Sequence, residues 1–151
     1  MAKKDPLKQL RDENPANNEL MGRMMALQAE PDYVAAVVAA SLLDHSLQQA
    51  LLARFTPLSD SKQNALFLDA SNGPLTSLAA KNRVAHAIGM YGPSTSNDLD
   101  SIRAIRNTFS HAKVAVTFAT PAIADKCRKF ELLPRHYLPD TISETSPKQL
   151  F

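Results

Sequence analysis

The sequence predicts an all-α protein, a single-domain bundle of about five to six helices. Leu and Ala are abundant, Gly occurs only 4 times and Trp not at all, a balance that favours helices over sheets. Apolar residues recur at the three- and four-residue spacing of a helix face in several segments. The longest stretch with strand-like alternation is 114–118, and 151 residues give the length of one domain with a buried core.

The first part of the chain predicts a tail and one helix. Residues 1–15 are polar and mixed in charge, so we expect them to form an N-terminal tail. We expect a helix over 16–29, because apolar residues recur there at helical spacing. These residues are Leu20, Met21, Met24, Met25 and Leu27. Pro31 ends this helix and suits the first turn of the next one.

The longest predicted helix spans 33–55 and is apolar on every side over 34–40. Asp44 and Arg54 interrupt it well short of the roughly 20 apolar residues that a membrane span needs, so no span is expected. A helix with this surface is buried by neighbouring helices or by a second copy of the chain. We therefore expect a homodimer with part of this helix, or of the helix over 75–90, in a two-fold interface.

Gly and Pro residues divide the middle of the chain. We expect a short helix over 62–68, followed by a break at 72–74, which reads Asn-Gly-Pro. The next helix is expected over 75–90 and ends before a second Gly-Pro pair. The helix after it should extend through Ala112, with Ser96 as its N-cap.

The last part of the chain predicts one more helix and a second tail. Residues 114–118 could form one short strand or an extended connection. A final helix is expected over 121–130, because Thr-Pro precedes it. From residue 133 onward prolines and polar residues predict an extended, partly disordered tail. The helical domain is therefore expected over 16–132.

Charge and cysteine content limit the classes of partner. The formal net charge of +2 is too small to predict nucleic-acid binding, although a pI near 8.8 does not exclude it. The single cysteine, Cys127, allows no internal disulfide and fits the reducing cytosol, so we expect a cytoplasmic protein. The four histidines show no zinc-ligand spacing, and we expect neither a metal nor another cofactor.

The most distinctive segment is 106–111, which reads Arg-Asn-Thr-Phe-Ser-His. Arg106 carries a permanent charge in a fork that suits phosphate or carboxylate. Asn107 can donate and accept hydrogen bonds, and His111 can move a proton near neutral pH. These three residues are therefore the candidate catalytic residues, on the condition that the protein is an enzyme.

The helical period places these residues on two faces of their helix. The predicted core face consists of Leu99, Ile102, Ile105, Phe109 and Ala112. Arg103, Asn107 and His111 follow one another four residues apart on the other side, and we call them the polar stripe. Arg106 should lie at the border of the core face, roughly 140° around the axis from His111. A second copy could bring an arginine and a histidine together across a two-fold axis.

Asp44 is a supporting candidate on the long helix, because buried ionisable groups are enriched at functional sites. It could orient Arg106 or His111, or it could be a satisfied buried acid. Arg106 could equally be the structural ion-pair partner of Asp44. Lys81 either neutralises an acid or faces solvent.

Residues 33–127 resemble the mannitol operon repressor family of bacteria. The resemblance rests on a Gly-Pro-Leu block at 73–75 and on the Arg-Asn-x-Phe-x-His block at 106–111. That family is all-helical and acts on transcription without a recognised helix-turn-helix. More distantly, Arg-x₄-His is similar to the signature of HEPN domains. These are helical domains that often dimerise, and many are metal-independent RNases.

The resemblance leaves two functions of different classes open. The first is a bacterial regulatory protein that modulates transcription through protein or operator complexes, and the extent of the resemblance favours it. The second is a HEPN-type RNase or RNA-binding relative. In that case His111 would be the general acid or base, Arg106 would bind the scissile phosphate, and Asn107 would hold either group in register. The ligand would accordingly be a protein, DNA bound indirectly, or RNA.

Overall fold

The computed structural model describes residues 17–68, 72–132 and 146–151, and within these ranges it is helical without a strand, which confirms the all-α class. The α-helices are α1 (Asn17–Ala26), α2 (Asp32–Leu52), α3 (Asp60–Phe67), α4 (Leu78–Ala87), α5 (Pro93–His111), α6 (Pro121–Arg128) and α7 (Pro147–Leu150). A 3₁₀ turn, Leu27–Ala29, follows α1. The expected tail at 1–15 lies outside the described residues.

The long helix α2 is the centre of the bundle. Asp32 lies in its first turn, where a carboxylate favours the positive end of the helix dipole. The helix packs against α4 and α5, and its first half contributes Ala35, Ala36 and Ala40 to the buried core. Phe55, expected to end the helix, lies beyond it and stacks on Phe67 of α3 at a ring-centroid distance of 6.3 Å. No helix in the described ranges has the length and apolar character to cross a membrane.

Two apolar clusters form the core, and α2 and α5 contribute to both. The α6 core consists of Ala35, Ala36, Ile105, Phe109, Phe118, Ile123, Cys127 and Phe130. The α4 core consists of Leu47, Leu51, Phe67, Leu75, Ala85 and Leu99. The start of α2 thus meets the end of α5, and the end of α2 meets the start of α5. The two helices therefore run antiparallel.

The start of α5 differs from the sequence prediction. The helix begins at Pro93, with Gly92 as its N-cap, and not at Ser96. Proline at the first helical position has its φ angle already set for the helix and lacks only an N–H that would be unpaired there. The N–H of Ser96 instead donates to the carbonyl of Gly92 at 3.3 Å, as an interior residue of the helix.

The α4 helix is shorter than expected because both of its ends are capped. Ser77 accepts a hydrogen bond from the N–H of Ala80 at 3.2 Å and starts the helix at Leu78. Gly89 adopts a φ of 72°, which glycine reaches without a side-chain penalty, and the chain leaves the helix there. The turn that follows leads directly into α5.

The end of the chain is folded where the sequence predicts a tail. Residues 133–145 lie outside the described residues, but 146–151 form a capped helical turn packed on α6. The ring of Phe151 packs on that of Phe118 at a centroid distance of 5.2 Å. The Nζ atom of Lys148 lies 3.4 Å from Oδ1 of Asp32 and forms an ion pair with it. The segment 114–118 is an extended connection and not a strand. The prolines and polar residues from residue 133 onward predicted a partly disordered tail. A prediction made from composition does not reveal that one aromatic residue, Phe151, packs on the rest of the chain.

Candidate functional site

The core face of α5 is confirmed at three positions of the predicted five. Leu99, Ile105 and Phe109 are buried, and Ile102 is partly buried. Ala112 is exposed, because the helix ends at His111 and Ala112 has an extended ψ of 134°. The buried positions fix the rotation of α5, so its opposite face is directed away from the core.

The polar stripe lies on the accessible side of α5. His111 is exposed in the last turn, and Arg103 and Asn107 are partly exposed. The Nε atom of Arg103 lies 3.6 Å from a carboxylate oxygen of Asp100, one turn earlier. An imidazole in the last turn is favoured by the negative end of the helix dipole when it is protonated. The stripe is thus a row of side chains with hydrogen-bonding capacity available to a partner.

Arg106 is exposed and does not lie against the core. Its Nη1 atom donates to Oδ1 of Asn107 at 2.9 Å. This bond spans two consecutive residues, so it holds the guanidinium close to the polar stripe. Arg106, Asn107 and His111 therefore belong to the same end of one helix, with Asn107 joining Arg106 to the stripe.

Asp44 is not the partner of Arg106. Its Oδ2 atom accepts a hydrogen bond from Nζ of Lys81 on α4 at 2.8 Å. The Lys81 side chain is only 2% exposed, so its ammonium depends on this carboxylate for compensation. Lys81 therefore neutralises an acid and does not face solvent. Asp44 therefore connects α2 to α4 through Lys81, whereas its other oxygen, Oδ1, is buried without a hydrogen-bond partner in the described part of the chain.

Asn82 and Tyr91 extend this buried polar group toward the start of α5. Asn82 is 1% exposed; its amide nitrogen donates to the Ser96 carbonyl at 3.0 Å. The Tyr91 hydroxyl donates to Oδ1 of Asn82 at 2.8 Å. Burial, and to a smaller extent the charge of Asp100, raise the pKa of Tyr91. We call Asp44, Lys81, Asn82 and Tyr91 the α4 polar cluster.

Asp98 is a buried acid of α5 that the sequence analysis did not include among the candidate residues. It is 6% exposed and accepts hydrogen bonds from the N–H groups of Glu131 and Leu132, at 3.0 and 2.9 Å. The residue thus holds the chain after α6 against α5. The sequence contained a signal for this burial, because Asp98 precedes Ile102 by four residues and so lies on the same face of the helix.

The remaining side chains with metal-ligating or nucleophilic chemistry are dispersed or buried in the described part of the chain. No group of three or more His, Cys, Asp or Glu side chains that could hold a metal ion occurs among the described residues. Cys127 is fully buried in the α6 core, and this burial raises its pKa to about 11, with Arg128 acting in the opposite direction. A thiol with this pKa is a poor nucleophile near neutral pH.

Comparisons with protein-family models, with curated proteins and with solved structures returned no match for this sequence. The resemblance to the mannitol operon repressor family and to HEPN domains therefore rests on the residues quoted above.

Proposed function

We propose that the protein is a non-enzymatic regulatory protein of the mannitol operon repressor type, which binds its partner through the polar stripe on α5. The observation that supports this proposal is the accessibility of the stripe, which contrasts with the buried core face of the same helix. Accessible Arg, Asn and His side chains at four-residue spacing can contact a protein surface or a nucleic-acid backbone.

The contacts of the candidate residues favour binding over catalysis. A catalytic histidine is usually oriented by a second group, and the supporting acid Asp44 is instead paired with Lys81 on another helix. On a single chain these residues form a surface, whereas a catalytic site is usually a concave pocket.

The proposed regulator is a homodimer with part of α2 or of the region around α4 in the two-fold interface. Apolar side chains that remain exposed there support this arrangement, namely Tyr33 at 56% and Val38 at 38% on α2, and Ile88 at 50% just after α4. Sedimentation equilibrium at micromolar concentration should give twice the mass of the chain. A monomer under these conditions would contradict the dimer.

A metal-independent RNase is the second candidate. It is favoured by one observation, the bond that places Arg106 beside Asn107 at the end of the helix that carries His111. In such an enzyme the 2′-hydroxyl of RNA attacks the adjacent phosphorus, and His111 accepts the proton of that hydroxyl. The P–O5′ bond breaks, which leaves a 2′,3′-cyclic phosphate, and the departing 5′-oxygen takes up a proton from water. Arg106 would bind the phosphate and stabilise the charge that develops on it. DNA lacks this hydroxyl and would not be cleaved by this route.

The decisive experiment compares RNA cleavage with gene regulation in the same set of variants. Purified protein is incubated with single-stranded and structured RNA in excess chelator, and transcripts are measured in the native host after deletion of the gene and complementation. We expect no cleavage, together with changed transcript levels that wild-type protein restores and the triple variant Arg103→Ala, Asn107→Ala, His111→Ala does not.

A matched control keeps this result specific. Lys62→Ala removes an exposed cation from α3, away from the stripe and from the proposed dimer interface, and should complement the deletion fully. Chelator-resistant cleavage by the wild type that is lost in both Arg106→Ala and His111→Ala, with both variants folded, would replace the regulatory proposal with the RNase.

A further inference from the structure

A cavity of about 260 Å³ lies between α2, α5 and the chain that follows α6. It is situated where the two cores meet, since Leu99 belongs to the α4 core and Phe130 to the α6 core. Its apolar lining consists of Leu43, Leu99, Ile102, Phe130, Leu132 and Phe151. Leu132 is 54% exposed, so the cavity has a rim at the surface.

The wall of the cavity also contains two polar side chains, Thr95 and Asp98. The N–H of Glu131 is shared between the two carboxylate oxygens of Asp98, and the N–H of Leu132 is donated to Oδ2. An ionised carboxylate offers about four acceptor sites, so these three contacts leave one. Asp98 is 6% exposed, so only a small part of this residue borders the open space of the cavity.

Size and lining together define the ligand that fits. A dry apolar cavity of roughly 150 Å³ takes up benzene, so a larger one has room for a six-membered ring with a short substituent. Sites for small molecules combine an apolar lining with a few polar groups that fix the orientation of the ligand. A hydroxyl or ammonium hydrogen is the group that Asp98 would select, because hydrogen bonds to a carboxylate are stronger than neutral ones.

We propose that this cavity binds a small molecule with an apolar ring and a single hydrogen-bond-donating group, with the ring against Ile102 and Leu99 and the donor on Asp98. Thr95 can accept or donate a second hydrogen bond to the same group. The site is separate from the polar stripe, and its occupation does not depend on the proposed regulatory function.

Three probes of similar size separate the contribution of the donor from that of the ring. Toluene has no donor, benzyl alcohol offers a hydroxyl, and benzylamine offers an ammonium group. We expect saturable shifts of the Leu and Ile methyl signals in NMR spectra, with at least one donor probe binding about fivefold or more tightly than toluene. The tighter of the two donor probes identifies whether the natural ligand is an alcohol or an amine.

Two variants test the location. Ile102→Phe fills the cavity and should weaken binding of the donor probes at least about tenfold, because the added ring occupies the ligand volume. Val114→Phe is the control, since Val114 is 74% exposed and does not line the cavity, and its binding should equal that of the wild type. Thermal melts of both variants establish that each is folded.

A reporter at the rim gives an independent measurement if Ile102→Phe does not fold. The chain contains no Trp, so Leu132→Trp introduces a single fluorophore whose emission should change saturably with the donor probes. Three results would overturn the proposal. They are a lack of saturable binding of every probe at about 10 mM, equal affinity for toluene and both donor probes, or unchanged binding in folded Ile102→Phe.

Discussion

The α4 polar cluster and the polar stripe of α5 contain similar residue types in opposite environments. In the cluster the Lys81 ammonium and the Asn82 amide are almost fully buried, and each has a partner inside the chain. In the stripe the side chains of His111 and its neighbours extend along an accessible helix face. Polar residues that are satisfied internally hold helices together, whereas accessible ones are available to a partner.

The difference arises from the antiparallel packing of α2 and α5. Lys81 faces α2, where Asp44 offers a carboxylate at 2.8 Å. Ile105 and Phe109 lie on the face of α5 that packs into the core. The polar stripe lies on the other side of this helix and is therefore directed away from the core. We therefore expect the cluster to contribute to stability and propose that the stripe binds a partner, and stability measurements can test both parts of this comparison.

The largest expected effect concerns the two faces of α5. Phe109→Ala should lower the free energy of unfolding by about 3–5 kcal/mol, because it leaves a cavity in the α6 core beside Phe118. His111→Ala should change it by less than about 0.5 kcal/mol, since the imidazole is exposed. Urea denaturation of both variants measures the difference. A large loss in both would make His111 a structural residue.

The helical spacing of apolar residues predicted the buried face of α5, but it did not predict the contacts of the α4 polar cluster. The spacing of Leu99, Ile105 and Phe109 is local, and it was enough to identify the buried face of α5. The partner of Asp44 is 37 residues away in sequence, so its identity depends on how α4 packs against α2. The sequence analysis therefore named Arg106 as a possible partner of that carboxylate and left open whether Lys81 neutralises an acid or faces solvent.

The misplaced helix start has a local cause. Ser96 has the chemistry of an N-cap, but Pro93 already satisfies the requirements of the first helical position three residues earlier. The last six residues were assigned to a tail because composition does not reveal that Phe151 has an aromatic partner in Phe118. Long-range packing decided both the partner of Asp44 and the end of the chain.

The second prediction breaks the α4 polar cluster. Asp44→Ala should cost about 3 kcal/mol of unfolding free energy, because it leaves the buried Lys81 ammonium without compensation. The double variant Asp44→Ala, Lys81→Met should recover a large part of this loss, since the uncompensated charge is then removed. Urea denaturation gives both values. A loss below about 1 kcal/mol for Asp44→Ala would show that the pair is not a structural element.

The third prediction concerns the thiol of Cys127, which is buried in the apolar α6 core. Because the folded-state pKa of Cys127 is raised from 9.0 to about 11, the unfolded chain loses this proton first as the pH rises. The thiol therefore contributes about 2–3 kcal/mol that is present below pH 9 and lost as the pH rises from about 9 to about 11.

Cys127→Ala tests this pH dependence. The variant should be less stable than the wild type at pH 7 because a small cavity is left, but its stability should fall less between pH 9 and 11. Tyr91, whose pKa is also raised, contributes to the alkaline loss in both proteins. Parallel pH profiles for the wild type and Cys127→Ala would show that the thiol is not the group responsible.

The smallest expected effect is that of the stripe itself on stability. Arg103→Ala and Asn107→Ala should each change the free energy of unfolding by less than about 0.5 kcal/mol, because surface substitutions away from caps and buried networks rarely exceed this. Asn107→Ala also removes the acceptor that holds Arg106, so the guanidinium gains freedom without a buried group being left unpaired. If the stripe is a binding face, these variants must lose regulation in the host while their denaturation curves match that of the wild type. A loss of about 2 kcal/mol or more in either variant would place that residue with the α4 polar cluster, as a structural contact, and would remove the distinction on which the binding role of α5 is based.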